Sequence, residues 1–306
     1  MQNKKIQKRL IIESALAEAL GQPVQVSRLY PGQENIVARV TFEDEEVVCR
    51  LSARRSLANV EAEQELITYL SAAGIPVASP SCLFSGRSAI STGCGVLSAN
   101  IHITGERREK EGWLEFQALV RELGTLVRTS AQLGWLKNRN TRPFKRELLG
   151  EASNLVAHFT ISAYERTSLN SQILSLYKPG GNGIAVHGDI HRNNVLWKMG
   201  EDAVLAAIVD FDDCYNGCIA DELYSFMRGY CYVGASLDRA RISHVSNEFH
   251  LVWCERDILY RLAAECVYFY FAILDSYTKK RGARKEDLDK ELRKIRTAIE
   301  LARIVD

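Results

Sequence analysis

Residues 6–20, "IQKRLIIESALAEAL", repeat apolar positions at helical spacing and run into Gly21, which predicts an amphipathic helix closed by a glycine cap. The pattern then changes period. "VQVSRLY", "NIVARVTF" and "EEVVCRLS" are rich in β-branched residues, and "PGQEN" (31–35) and "EDEE" punctuate them, predicting three strands joined by turns. Helical spacing returns in "ANVEAEQELITYLSAAG", which sets Val60, Leu66, Ile67 and Leu70 on one face and stops at Gly74. "IPVASPSCLFS", "SAISTG" and "GVLSANIHITG" predict further short strands. One helix among several strands is an α+β pattern, because parallel crossovers would need a helix between most strands.

From Trp113 the chain reads as mainly helical. "WLEFQALVRELGTLVRTSAQLGW" is a long amphipathic stretch, followed by the charged connector "LKNRNTRPFKREL". "EASNLVAHFTISAYERTS" predicts one helix that continues towards "LNSQILSLY", and "KPGGNG" breaks the pattern. Two strand-like runs follow, "IAVHG" to "NVLW" and "VLAAIVDFDD", and everything from about residue 219 reads as helix. The expected organisation is a small sheet-rich lobe over residues 1–102, joined through residues 97–102 to a larger helical lobe over 103–306. A cleft between two lobes is the usual place for a ligand.

Composition narrows the class without naming it. With 306 residues, 46% hydrophobic and 25% charged, the chain can bury a real core, and its net charge of +1 gives no field for nucleic acid or an anionic membrane. No run approaches the length of a membrane span, and the N-terminus lacks a secretory apolar core. A cytoplasmic protein is expected. The eight cysteines, at 49, 82, 94, 214, 218, 231, 254 and 266, form no CxxC pair and read as buried free thiols.

The densest chemistry lies in "AVHGDIHRNNVLW", residues 185–197. Taken alone it admits a metal cluster, a general base with orienting groups, or a polar turn. His187 and His191 have the spacing of a helical zinc site, but Gly188 and the strand before it argue against a helix. "GDIH" is also similar to a turn of calcineurin-like phosphoesterases, whose other blocks are missing. If the two strand-like runs pair as a hairpin, Asp189, Asn194 and Asp210 come near one another. Phosphoryl transfer uses such a set: one carboxylate orients a hydroxyl and takes its proton, while an amide oxygen and a second carboxylate hold Mg2+ on the nucleotide.

On these residues the chain resembles the aminoglycoside phosphotransferase and choline kinase superfamily, which has a two-lobed protein-kinase-like fold. The family block H-G-D-x-H-x-x-N reads here from His187 to Asn194; "IVDFDD" matches the metal block, and "GCIADEL" matches G-x-x-x-x-D-L-A. The resemblance implies Asp189 as catalytic base and Asn194 and Asp210 as metal ligands. It implies supporting roles for His187, which ties the catalytic loop to the metal strand, for the loop-shaping His191, and for Asp221, which buttresses the loop. "LYPGQENIVARV" resembles the hairpin that covers the nucleotide phosphates, with Gly32 and Asn35 in it. "VVCRLS" then offers Arg50 to the phosphates, with Glu63 as its best-aligned helix partner ahead of Glu61 and Glu65. "LSANIHITGER" matches the segment whose backbone meets the nucleobase.

The expected function is ATP- and Mg2+-dependent transfer of a γ-phosphate to a hydroxyl of a small molecule. Aminoglycoside-, choline-, homoserine- and sugar-like acceptors all stay open. Residues 279–303 lean basic, which disfavours a polycation, and the aromatic run Tyr268 to Phe271 reads as core rather than as a cage for choline. Two alternatives stand beside this one. "VDFDDCYNG" also resembles bacterial stress-response kinases that act on protein Ser/Thr, and Arg50 with a thin glycine loop suits a nucleotide-binding pseudokinase.

Overall fold

A computed structural model describes residues 2–30, 35–133, 149–160, 162–176, 183–251, 254–279 and 283–305. Gly32, the connector at 136–148 and residues 178–182 lie outside the described residues. The described chain forms two compact units. One holds the residues up to Arg107 together with Val195–Asp212, and the other holds Arg108 onward apart from that segment.

In unit 1, helix α1 (Gln2–Leu20) precedes strands β1 (Val26–Tyr30), β2 (Ile36–Phe42) and β3 (Glu45–Ser52). Helix α2 (Leu57–Ala72) and strands β4 (Ala89–Thr92) and β5 (Gly95–Ile101) follow. The five strands form one antiparallel sheet in the order β1-β2-β3-β5-β4. Period-two burial sets its inner face: Ala38 and Val40 on β2 and Val47, Cys49 and Leu51 on β3 pack against Ile12, Ala15 and Leu16 of α1. Glu43 and Asp44 both take positive φ in the β2–β3 turn (48° and 70°), as a two-residue hairpin of this twist requires. Ser56 caps α2 by accepting the Asn59 N–H, and Gly74 ends it with φ 80°. The expected strand over "IPVASPSCLFS" is absent; only isolated bridges at Val77, Pro80 and Phe84 occur, because Pro76 and Pro80 remove ladder donors. The hairpin of β7 (Val195–Trp197) and β8 (Leu205–Ile208) also belongs to unit 1, and it pairs Val195 with Ile208. Glu106 and Trp197 exchange both backbone hydrogen bonds at 2.9 Å, fixing the segment after β5 to β7.

Unit 2 contains α3 (Trp113–Leu133), α4 (Leu149–Ala157), α5 (Ala163–Leu176), β6 (Ile184–Val186) and β9 (Tyr215–Gly217). Then come α6 (Ile219–Tyr230), the strand pair β10 (Tyr232–Val233) and β11 (Ser236–Leu237), and α7 (Arg239–Glu248). Helices α8 (Glu255–Thr278) and α9 (Lys285–Ile304) complete the unit. Leu169, Ile173, Val267, Phe271, Ile295 and Ile299 join α5, α8 and α9 in one core, and Tyr268 belongs to it. The helix expected across "EASNLVAHFTISAYERTS" is two helices: Ser162 accepts the Glu165 N–H and restarts the chain as α5. Among the described residues no helix is long and apolar enough to cross a membrane.

The cysteine expectation needs correcting. None of the eight is in a disulfide, but only Cys49, Cys214, Cys231 and Cys266 are buried. Cys94 sits in the β4–β5 turn, Cys218 and Cys254 precede α6 and α8 as cap residues, and Cys82 is also exposed; turn and cap positions lie at the surface. Burial pushes the Cys49 and Cys266 thiols up to about 12, so both are inert packing residues.

Candidate active site

Strand β6 is buried on all three residues and delivers the chain to a loop over residues 187–194. Gly188 has φ 81°, and a Cβ there would meet the Asp213 carbonyl and the Tyr215 ring at 3.0 Å, so only glycine fits this bend. The bend sends Asp189 out of the strand, and its side chain keeps 23% of its surface exposed.

Every group around Asp189 has a defined job. Asn193 gives its backbone N–H to His191 Nδ1 (3.1 Å), which leaves the proton on Nε2, 3.2 Å from Asp189 Oδ2. Arg228 approaches Oδ1 at 3.8 Å. Burial raises the Asp189 pKa, but the hydrogen bond from His191 and the nearby Arg228 outweigh it and hold the carboxyl below its ordinary value. The Asp189 N–H donates to His187 Nδ1 at 3.3 Å. Asn194, 5% exposed, donates through Nδ2 to the Asp189 carbonyl at 3.0 Å, and its backbone N–H reaches the His191 carbonyl at 2.8 Å. With the NH2 occupied, the side-chain oxygen of Asn194 is the end left for a ligand.

Helix α6 backs this loop position by position. The buried Glu222 accepts the His187 N–H, and Ser225 Oγ donates to the Gly188 carbonyl at 2.9 Å. Arg228 faces Asp189, and Gly229 lets the Ile190 carbonyl come within 3.0 Å of where a Cβ would stand. Residues 222, 225 and 229 share one face at helical spacing. Asp221, on the flank of that face, accepts the Cys218 N–H (2.9 Å) at the start of α6 and pairs with Arg261 of α8 (2.9 Å). Arg228 is itself held by Glu291 at 3.4 Å and lies over the Phe269 ring. Sequence reading found none of Glu222, Ser225, Arg228 or Gly229. Their signal was a helical period on α6 that becomes meaningful only once its partner loop is known.

Unit 1 holds a second polar centre. Of the three candidate acids on α2, Glu63 is the one that meets Arg50, while Glu61 and Glu65 are exposed. Glu63 is 1% exposed, with Oε1 on Arg50 and Oε2 on Arg55. Arg50 and Arg55 both also contact Asp212, whose other oxygen accepts from the Asn35 amide. Burial opposes both charges, yet the two acids raise Arg50 above its ordinary value, and the two guanidiniums lower Glu63. Burial pushes Asp212 up to about 6, with repulsion from Glu63 and Asp210 offsetting what the arginines give. Asp210 lies two residues after Ile208 of the β7–β8 hairpin, at the end where Val195 follows Asn194. Its φ of 69° is left-handed, a strained setting for a non-glycine residue. Sequence reading missed Arg55 entirely.

The sequence profile of the Phosphotransferase enzyme family (APH) matches residues 25–246. The chain belongs to that family. Both the family and the α+β fold are those expected from the sequence. No curated protein matches the chain as a relative. Solved structures match over nearly its whole length. An amicoumacin kinase, hAmiN, in complex with AMP-PNP, Ca2+ and Ami is 19% identical, with a TM-score of 0.67 over 97% of this chain and 96% of that one. Spectinomycin phosphotransferase APH(9)-Ia with ADP and spectinomycin is 12% identical, with a TM-score of 0.59 over 96% and 97%. Macrolide 2'-phosphotransferase MphH from Brachybacterium faecium is 16% identical, with a TM-score of 0.57 over 94% and 98%. The chain is therefore a phosphotransferase.

Proposed function

We propose that the chain moves the γ-phosphate of MgATP to a hydroxyl of a small-molecule acceptor, with Asp189 receiving the hydroxyl proton. The observation that carries this reading is the setting of Asp189: ionised, aimed by His191 and Arg228, and open on one side. In the reaction the acceptor oxygen forms a bond to the γ-phosphorus as the bond to the ADP oxygen breaks, and Asp189 orients the hydroxyl and collects its proton.

The donor set suits a hard cation. An amide oxygen from Asn194 and a carboxylate from Asp210 are the oxygen ligands Mg2+ prefers, and Asn194 is already turned so that its oxygen is available. When bound, the ion neutralises charge building on the phosphates. Arg50 supplies a planar cation with donors matched to phosphate oxygens, and Asn35, just before β2, ends the 31–35 stretch that resembles the family's phosphate-covering hairpin.

A small molecule of the kind these neighbours hold is the favoured acceptor class, since the amicoumacin kinase is in complex with Ami and the spectinomycin phosphotransferase with spectinomycin. Arg228 beside the base, with the basic lean of residues 279–303, favours an acceptor that is not a polycation at the reacting hydroxyl.

The test is a panel of hydroxyl acceptors, small molecules and protein, incubated with labelled ATP and Mg2+. Wild type is expected to label a small molecule, and Asp189→Ala to lose about 100-fold or more of turnover while still binding nucleotide. Undiminished transfer by Asp189→Ala, or labelling of protein alone, refutes the assignment.

A further inference from the structure

Arg55 duplicates the contacts of Arg50. Its NH1 reaches Glu63 Oε2 and, at 2.9 Å, Asp212 Oδ1, while NH2 donates to the Asn59 carbonyl at 3.1 Å. Arg50 uses NH2 on Glu63 Oε1 and NH1 on the same Asp212 oxygen. Two guanidiniums thus bridge one pair of acids. Glu63 is almost fully buried, so withdrawing a cation from it is costly unless another stays.

This duplication settles a conflict over Arg50. A guanidinium grips phosphate bidentately through its outer nitrogens, and those are the atoms Arg50 now spends on Glu63 and Asp212. Shared between two acids and a phosphate, one arginine spreads its five N–H donors across three anions, and a second arginine on the acids relieves it. Resting on the phosphotransferase reading above, we propose that Arg55 is a positioning residue. It keeps Glu63 and Asp212 in place so that Arg50 is free for the nucleotide phosphates. Asp212 follows Asp210 by two residues within one short turn, so anchoring Asp212 also anchors the strained Asp210. A left-handed aspartate persists only where its surroundings over-determine it. The Arg55 contact with Asn59, in the first turn of α2, ties this anchor to a helix rather than to a loop.

The experiment compares wild type with Arg50→Ala, Arg55→Ala, Arg55→Lys, Asp212→Asn and the double variant Arg55→Ala/Asp212→Asn. Affinity for AMP-PNP is measured by calorimetry with and without Mg2+, turnover by slow ATP hydrolysis with water as acceptor, and melting on nucleotide-free protein. Arg50→Ala is expected to weaken AMP-PNP binding about tenfold or more, the loss of a charge-assisted contact. Arg55→Ala should weaken it too, by less than Arg50→Ala, because Arg50 is then drawn onto Glu63 and Asp212. Its turnover should fall about tenfold or more, because misplacing a site by about 1 Å can cost up to about 100-fold. Arg55→Lys should regain part of the turnover, since one nitrogen can bridge the two acids but cannot also reach Asn59. The double variant should lose no more turnover or melting temperature than the worse single variant, which marks the two as one unit.

Several results overturn the proposal: Arg55→Ala leaving AMP-PNP affinity unchanged or weakening it more than Arg50→Ala, unchanged turnover in Arg55→Ala, or additive losses in the double variant. If Arg55→Ala fails to fold, Asp212→Asn carries the test. It should lower turnover with AMP-PNP affinity kept, and a selective loss of the Mg2+ effect would instead make Asp212 a metal ligand and refute the anchor role. Wild type that binds no AMP-PNP in Mg2+ sinks the phosphotransferase reading itself, a result separate from every one above.

Discussion

A carboxylate that takes a proton from a hydroxyl must be charged, aimed and uncovered, and at Asp189 different neighbours supply these conditions. Gly188 turns it outward, His191 fixes one oxygen through a defined tautomer, and Arg228 faces the other. Arg228 stands 3.8 Å from Asp189, the proposed base, so removing its charge should act on turnover alone. Arg228→Met keeps a stem to cover Phe269 and deletes the guanidinium; kcat should fall about tenfold with the KM for ATP inside about twofold. Arg228→Lys should retain more than Arg228→Met. Steady-state kinetics with ATP varied decides it, and a KM that rises as kcat falls would move Arg228 to the nucleotide. Asp189 and Asn194 stand out in the sequence because one short loop carries both. Arg228 does not, because nothing local distinguishes an arginine that caps a base from one that faces water.

At the scale of elements, α6 works as a ruler for the loop it backs. Glu222, Ser225 and Gly229 address His187, Gly188 and Ile190 in chain order, so a shift of the helix moves Asp189, the proposed base. Gly229→Ala separates fold from function here. Alanine is about 1 kcal/mol better than glycine inside a helix, but its Cβ meets the Ile190 carbonyl at 3.0 Å and the His191 Cβ at 3.5 Å. Thermal melting should therefore stay level or rise while kcat drops about tenfold; a drop in both would mean that Gly229 serves only packing. Elements with a clear period were legible in the sequence: β3 and α2 lie where the pattern puts them. β9, β10 and β11 were not, since strands of two or three residues carry no period to read. The break between α4 and α5 escaped because Ser162 acts through one cap hydrogen bond inside an otherwise helical pattern.

Over the whole molecule, the described chain builds two compact units, and its long-range polar links are what a linear reading cannot supply. Arg55 and Asp212 are 157 residues apart, yet their contact helps close the charge network of unit 1. That network should dominate the acid behaviour of the protein. Glu63 has its pKa lowered in the fold by Arg50 and Arg55 against the opposing effect of burial. A group lowered in this way stabilises the fold above its unfolded pKa and loses that contribution as pH falls through the folded value. The arginines stay charged throughout, and Asp212, pushed up to about 6, takes its proton first, so the window below about pH 5 belongs to Glu63. Glu63→Gln removes this contribution and should cost about 3 kcal/mol near neutral pH, the scale for breaking a buried pair. At roughly 2–4 °C per kcal/mol, melting should drop by about 6–12 °C. The gap between wild type and variant should be widest above pH 5 or so, the ordinary carboxylate range, and narrow steadily below about pH 4 as Glu63 takes up its proton. Melting curves of both proteins across that range make the comparison. A gap that stays constant with pH would show that the loss comes from packing around the amide and not from the charge on Glu63.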